Sequence, residues 1–206
     1  MSDLEIPDFD SPEHCIYQEF GCPEIFDLYS DDEWQEQDRH QFGCTYRPFY
    51  CPVIDCQAKL RTGDDVIIHV YEHHWEQFDT HYGPNLSETF NDVNNWSNGT
   101  WTIKKIAYQG KHFFLLGIMK DGVRYHFVRI LGNQQEATQF LYKLVLFKGH
   151  TKYSFEGQVT SLQFTAEEAT KEFKSVFFKN QIVQNLTDES SKIQYQLQLF
   201  YKGNLE

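Results

Sequence analysis

Five cysteines and a run of three histidines carry the most chemically loaded pattern in this chain. Cys15, Cys22, Cys44, Cys51 and Cys56 all fall in the first 56 residues, and none follows. His69, His73 and His74 sit together a short way downstream. The spacing forms two groups. Six residues separate Cys15 from Cys22 and three separate His40 from Cys44; four separate Cys51 from Cys56 and twelve lead on to His69, with His73 and His74 behind it. Each group reads as two ligands on a loop or hairpin, then two more spaced to share one face of a helix. Four such soft or borderline donors close a tetrahedral zinc shell. The pairing uses every cysteine, and an odd cysteine count makes a poor disulfide framework. Two structural zinc ions are therefore the expected cofactors.

A catalytic metal is the sharper alternative. His69, Glu72 and His73 match H-x-x-E-H, a zinc-peptidase pattern in which two histidines one turn apart flank a glutamate base. Such a site needs a third protein ligand and an open coordination position. Cys51 and Cys56 would fill the shell instead, which leaves Glu72 as a solvated helix residue.

The elements that must position these residues follow from composition. The first 14 residues are acidic, proline-bearing and without periodicity, and read as a disordered tail. Residues 15–75 are modest in apolar content, and LYSDDEWQEQDRH is strongly polar. A segment of that size lacks the burial to fold unaided and calls for a metal staple, which contributes on the order of 10 kcal/mol of apparent binding free energy. From 76 to 206 the texture changes. KHFFLLGIMK and VRYHFVRILG flank Asp121-Gly122, a hairpin signal. FLYKLVLF and TKYSFEGQVTSL flank Gly149-His150, with Tyr153, Phe155 and Val159 on one face. KIQYQLQLFYKG alternates Ile193, Tyr195, Leu197 and Leu199 with glutamines, the period of a half-buried strand. Only NQQEATQF and TAEEATKEF read as helical turns. The fold class is mainly β, an antiparallel sandwich behind a small metal-bound module. The histidines and carboxylates of the sandwich show no pairing and read as surface.

Charge restricts the partners. Thirty acidic residues face 18 basic ones, for a net charge of −12. That balance argues against nucleic acid and against anionic membrane surfaces. No apolar run approaches the roughly 18 residues of a membrane span. The N-terminus has neither the basic nor the apolar region of a secretory signal, so a cytoplasmic location is expected, with the nucleus also open, and the N-x-S/T triplets at Asn95, Asn98 and Asn185 are expected to be unused.

The junction CTYRPFYCP, residues 44–52, resembles the linker between the paired zinc fingers of the seven-in-absentia (SINA/SIAH) family. The likeness continues in DVNNWSNGTW and HFVRILGNQQEATQFLYKLVLFKGH, and spans about residues 15 to 200. It implies tandem SIAH-type fingers with ligands Cys15, Cys22, His40 and Cys44, then Cys51, Cys56, His69 and His74, with His73 spare. It also implies a TRAF-like substrate-binding sandwich that commonly dimerises and receives protein substrates or degron-like peptides. By position Trp101 matches a tryptophan near the family's peptide groove, with Ile103 on the same side of its strand; a plain core role is the alternative for Trp101.

Departures from the family shape the functional expectation. The chain has no cysteine–histidine ladder of a RING ahead of Cys15, and the Cys22–His40 gap is longer than usual, which places Asp31, Asp32 and Glu33 in an extra acidic loop. A RING-less adaptor is expected, without ligase activity of its own, that recruits substrates or competes for them and pairs with itself or with RING-bearing relatives. The alternative is part of a RING-type E3 ubiquitin ligase whose RING is absent from this chain.

Overall fold

The computed structural model describes residues 13–26, 31–53, 56–90, 99–120, 123–172, 176–179, 182, 185–187, 189 and 192–204. The chain divides into two compact units, Met1–Pro48 and Phe49–Glu206. The division lies inside the 15–75 segment that the cysteine and histidine spacing groups as tandem fingers. The second set of ligands accordingly belongs to the same unit as the sandwich.

The first unit is small. Strands β1 (Glu13–His14) and β2 (Ile25–Phe26) pair antiparallel and are followed by helix α1 (Asp31–Gly43). Between the strands a single 3-10 turn ends at Gly21, whose φ of 105° is a left-handed value that favours glycine. Its amide donates to the Gln18 carbonyl at 2.8 Å. Asp31, Asp32 and Glu33, expected in a loop, instead open α1. Acidic residues suit that place, because the unpaired N–H groups of a first turn favour negative charge.

In the second unit, β3 (Phe49–Tyr50) and β4 (Lys59–Leu60) form a short hairpin ahead of helix α2 (Gly63–His74). Two sheets follow. One has four antiparallel strands in the order β11 (Thr151–Gln158), β10 (Phe140–Lys148), β14 (Ile193–Tyr201), β6 (Asn85–Phe90). The other runs β12 (Thr160–Ser161), β9 (Val123–Ile130), β8 (Lys111–Lys120), β7 (Gly99–Tyr108), β5 (Thr80–Tyr82), and β13 (Val176–Lys179) also pairs with β9. The long strands are antiparallel as expected; the two short edge pairings, β12 with β9 and β5 with β7, are parallel. The turns read as helical are α3 (Gln134–Ala137) and α4 (Ala166–Glu172). Asp121-Gly122 lies outside the described residues, but the strands it joins pair in register, Lys120 opposite Val123.

The sandwich core follows from period-2 alternation. Ile193, Tyr195, Leu197 and Leu199 of β14 are buried while the glutamines between them are exposed. With Phe140, Tyr142, Leu144 and Leu146 of β10 they meet Ile106, Phe113, Leu115, Val128 and Ile130 of the other sheet. Strand β8 departs from alternation: Phe113, Phe114, Leu115 and Leu116 are all fully buried. The cause is a second layer. Phe114, Leu116 and Phe127 point away from the sandwich core into a cluster with Val66 and Val70 of α2 and Leu162. A strand covered on both faces needs an uninterrupted apolar run, and KHFFLLGIMK supplies it. Among the described residues no helix is long and apolar enough to cross a membrane.

Candidate metal centres

Two clusters of cysteine and histidine stand out among the described residues: Cys15, Cys22, His40 and Cys44, and Cys51, Cys56, His69 and His74. In each, one ligating atom per residue lies within 4.8 Å of all the others.

In the first cluster the β1–β2 hairpin presents Cys15 and Cys22, while α1 carries His40 and ends just before Cys44. The Cys22 Sγ stands 3.3 Å from the His40 Nε2, and the Cys15 and Cys44 Sγ atoms are 4.0 Å apart. Ligands at about 2.0–2.3 Å from a tetrahedral zinc lie roughly 3.3–3.8 Å from one another, so these separations come within a few tenths of an ångström of the edges of such a shell. The Tyr17 amide donates to the Cys15 sulfur at 3.4 Å, and amides also oppose the rise in thiol pKa at Cys44. Burial nonetheless pushes Cys15 up, and Cys44 up to about 12. Two buried thiols that resist ionisation, Cys15 and Cys44, become thiolates only when a cation compensates them. The Gln37 amide group donates to Glu13 at 3.3 Å and ties α1 to the hairpin.

The second cluster is positioned by a capping box. The Thr62 hydroxyl accepts from the Asp65 amide at 3.1 Å, and the Asp65 carboxylate accepts from the Thr62 amide at 2.9 Å. This fixes where α2 starts and hence the rotation that aims Val66 and Val70 at the sheet, with His69 toward the β3–β4 cysteines; His74 joins it from the end of the helix, where its φ of −137° leaves the helical range. The Cys51 amide donates to the Ala58 carbonyl at 3.1 Å and the Cys56 amide to the Val53 carbonyl at 2.9 Å. The Cys56 Sγ is 3.3 Å from the His69 Nε2. Both ring nitrogens of His74 are buried without a hydrogen-bonding partner among the described residues. That is costly for a bare imidazole, and a metal bond would relieve one of them. Burial lowers the pKa of both His69 and His74, so each favours the neutral form that ligates metal. Burial also pushes Cys51 up to about 12. The residues present fit two structural zinc ions, one in a Cys3His set and one in a Cys2His2 set.

His73 and Glu72 stand outside the cluster and are exposed. Four protein donors already surround the second site, so the H-x-x-E-H reading finds no open position.

Trp101 and Ile103 lie on β7, Trp101 opposite Gly117 and Ile103 at a shift of register between Thr102 and Lys104. Their side chains, and the DVNN segment before them, lie outside the described residues.

Three features escaped the sequence reading. Arg129 on β9 is 1% exposed and donates through Nη2 to the carbonyls of Ser161 (3.3 Å) and Phe164. Burial pulls its pKa down to about 9, with Glu168, Cys51 and Tyr50 opposing the fall, so the guanidinium stays charged at neutral pH beside the second cluster. The Tyr50 amide donates to the Leu162 carbonyl at 2.8 Å, so residues 161–164 are gripped by the finger hairpin and by Arg129. Next, His126 is fully buried against the Phe90 ring at 5.5 Å, which corrects its reading as a surface histidine. Burial, with the Arg124 charge adding to it, pushes its pKa down to about 3. Finally, Lys104 on β7 bridges Asp79 and Glu88, each at 2.8 Å, and joins the two sheets across one open side. A signal existed for the first two: VRYHFVRIL is too apolar on both faces for its polar members all to reach solvent.

Residues 108–198 match the domain family described as Sina, TRAF-like domain. Among curated proteins the chain is 27% identical over 170 residues to the E3 ubiquitin-protein ligase SINAT2 of Arabidopsis thaliana, covering 78% of this chain and 49% of that one. It is 28% identical over 144 residues to the E3 ubiquitin-protein ligase sina of Schistosoma mansoni, covering 67% and 36%. With the E3 ubiquitin-protein ligase sina of Drosophila melanogaster it shares 23% over 183 residues, covering 86% and 56%. The chain thus spans about half the length of the curated relatives it matches.

Proposed function

Because this chain belongs to the seven-in-absentia family, we propose that it serves as a zinc-braced adaptor of the ubiquitin–proteasome pathway. The observation that carries this reading is the joint presence, on one chain, of two four-donor clusters and a Sina, TRAF-like domain. In this reading Cys15, Cys22, His40, Cys44, Cys51, Cys56, His69 and His74 hold two zinc ions that shape the molecule and take no part in catalysis. The sandwich grips a protein substrate or an extended degron-like peptide, with Trp101 and Ile103 on the strand that receives it; strand addition at a sheet edge is the general physics of such recognition. The chain acts in the cytoplasm or nucleus, and pairs with itself or with RING-bearing relatives through the sandwich.

Reconstituted ubiquitination tests the reading. With activating and conjugating enzymes but no other ligase, this chain should form no ubiquitin chains. Added to a RING-bearing relative, it should raise or lower modification of a shared substrate. Activity from this chain alone would overturn the adaptor role. The share of its relatives that the chain spans favours a second reading, in which it is the substrate-selecting part of a RING-type E3 ligase. A transcript that encodes a cysteine–histidine RING ladder in frame with Met1 would decide for that reading.

A further inference from the structure

Helix α2 buries Val66 and Val70 against the sheet, and its opposite face is unusual for a solvent face. Ile68, Tyr71 and Trp75 are 54%, 76% and 65% exposed. Ile68 and Tyr71, three apart, share one face of the helix, and Trp75 opens the 3-10 turn that follows His74, whose φ of −137° ends the helix. Large apolar side chains scattered singly on a surface need no explanation. Three within eight residues, two on one helical face and the third on the turn that follows it, with the two rings alone offering roughly 300 Å², make an exposed apolar area of the size that recognition surfaces use. Tyrosine and tryptophan are also the residues most enriched among binding hot spots.

Carboxylates surround the stripe. Asp64 lies at its start, and Asp65, Glu72 and Glu76 run along its flank; all four are exposed. The chain contains no lysine or arginine between Arg61 and Lys104. An apolar, ring-bearing stripe with an acidic margin, on a helix that itself carries no lysine or arginine, is complementary to one chemistry, an apolar segment studded with lysine or arginine. The aliphatic and aromatic groups of such a segment would cover the stripe. Its cations would sit over the Tyr71 and Trp75 rings and against the carboxylates. A second copy of a chain with net charge −12 brings the wrong sign, as does nucleic acid.

We propose that Ile68, Tyr71 and Trp75, on α2 and the turn that follows it, form a docking surface for a basic, apolar polypeptide segment, separate from the peptide-receiving strand of the sandwich. The proposal does not rest on the ubiquitin-pathway reading, because neither its site nor its test involves ubiquitin.

The test uses the full zinc-loaded chain against a displayed library of random 12-residue peptides. The expected result is enrichment of peptides with lysine or arginine among apolar residues three or four apart. A synthetic peptide of the enriched consensus, followed by fluorescence anisotropy, should bind at least tenfold more weakly to the Tyr71→Ser/Trp75→Ser double variant. Glu72→Lys/Glu76→Lys should weaken it as well, and added salt should weaken the wild-type complex. Zinc content and melting of both variants, measured alongside, should match the parent chain. Enrichment of acidic or neutral peptides would overturn the proposal, as would no enrichment over bare support or equal binding by the Tyr71→Ser/Trp75→Ser variant. Self-association of the chain that this double variant abolishes would also overturn it, by assigning the face to a second copy.

Discussion

The two metal centres have nearly the same donors and opposite settings. The first sits in a unit whose buried apolar residues are Cys15, Tyr17, Cys22, Phe26 and Cys44, with Phe20 half-buried beside them. Three of those five are the metal donors themselves. The second lies on a hairpin and helix that bury Val66 and Val70 among Phe114, Leu116, Phe127 and Leu162. Fully burying an aliphatic or aromatic side chain of that size contributes about 1.5–3 kcal/mol. Among its described residues the first unit thus has almost nothing to hold it but the ion, whereas the second finger is a layer of the sandwich that also binds one. Similar ligand chemistry need not mean equal dependence on the ligand.

The largest expected effect is on the first centre. Replacing Cys22 or Cys44 by serine should lower zinc from two ions to one per chain by native mass spectrometry, and residues 15–44 should lose protection from hydrogen exchange. The apparent binding free energy at stake is on the order of 10 kcal/mol, far beyond what so small a core can replace. Cys51→Ser should also cost one zinc, but α2 should retain most of its exchange protection through Val66 and Val70. Equal loss of protection at both centres would break the comparison.

Arg129 sharpens it next. A buried guanidinium needs compensation, and here the carbonyls of Ser161 and Phe164 supply part of it. Arg129→Ala should destabilise the second unit by about 3 kcal/mol, because it leaves those carbonyls unpaired and opens a cavity. It should also speed zinc release to a chelator from the second centre while leaving the first unchanged. Equal acceleration at both would refute its link to the second finger.

His126 gives a pH test confined to the sandwich. Its folded pKa, about 3, lies below its ordinary value of 6.5, so the unfolded chain binds the proton more readily. The stability this contributes is fully present above pH 6.5 and drains away as pH falls toward 3. By about pH 4 the loss amounts to about 3 kcal/mol. His126→Leu should flatten that part of the acid limb in urea titrations of the zinc-loaded protein; an unchanged limb would show that His126 is not the group that titrates.

Much of the fold was legible because its signals are local. The alternation in KIQYQLQLFYKG placed β14 with the correct face inward. Every cysteine counted toward a ligand group, and the structure gathers those same residues into two clusters. What was hidden depends on a third layer. Nothing in the spacing of α2 says that the outer face of β8 and β9 is covered, so the apolar texture of VRYHFVRIL signalled buried polar residues without naming Arg129 on the covered face or His126 on the core face, and the division of the chain at Phe49 had no sequence signature of its own. The acidic run at Asp31 was misread for a related reason: charge looks like loop until the helix it starts is known to present His40.

The smallest expected effect concerns the histidine that the second cluster leaves out. His73 and His74 are adjacent, and their rings approach that of His69 to 4.8 and 5.1 Å. Distance from His69 therefore does not choose between them. Burial does: His73 is exposed, whereas His74, whose φ of −137° takes it out of the helical range, has both ring nitrogens buried. His74→Ala should remove the second zinc, whereas His73→Ala should keep both ions and change stability by less than about 0.5 kcal/mol, as exposed substitutions do. The double variant should then match His74→Ala alone. Further loss of zinc affinity in the double variant would mean that His73 can swing in when its neighbour is gone, and the second centre would then owe its tolerance to a spare ligand as well as to its packing.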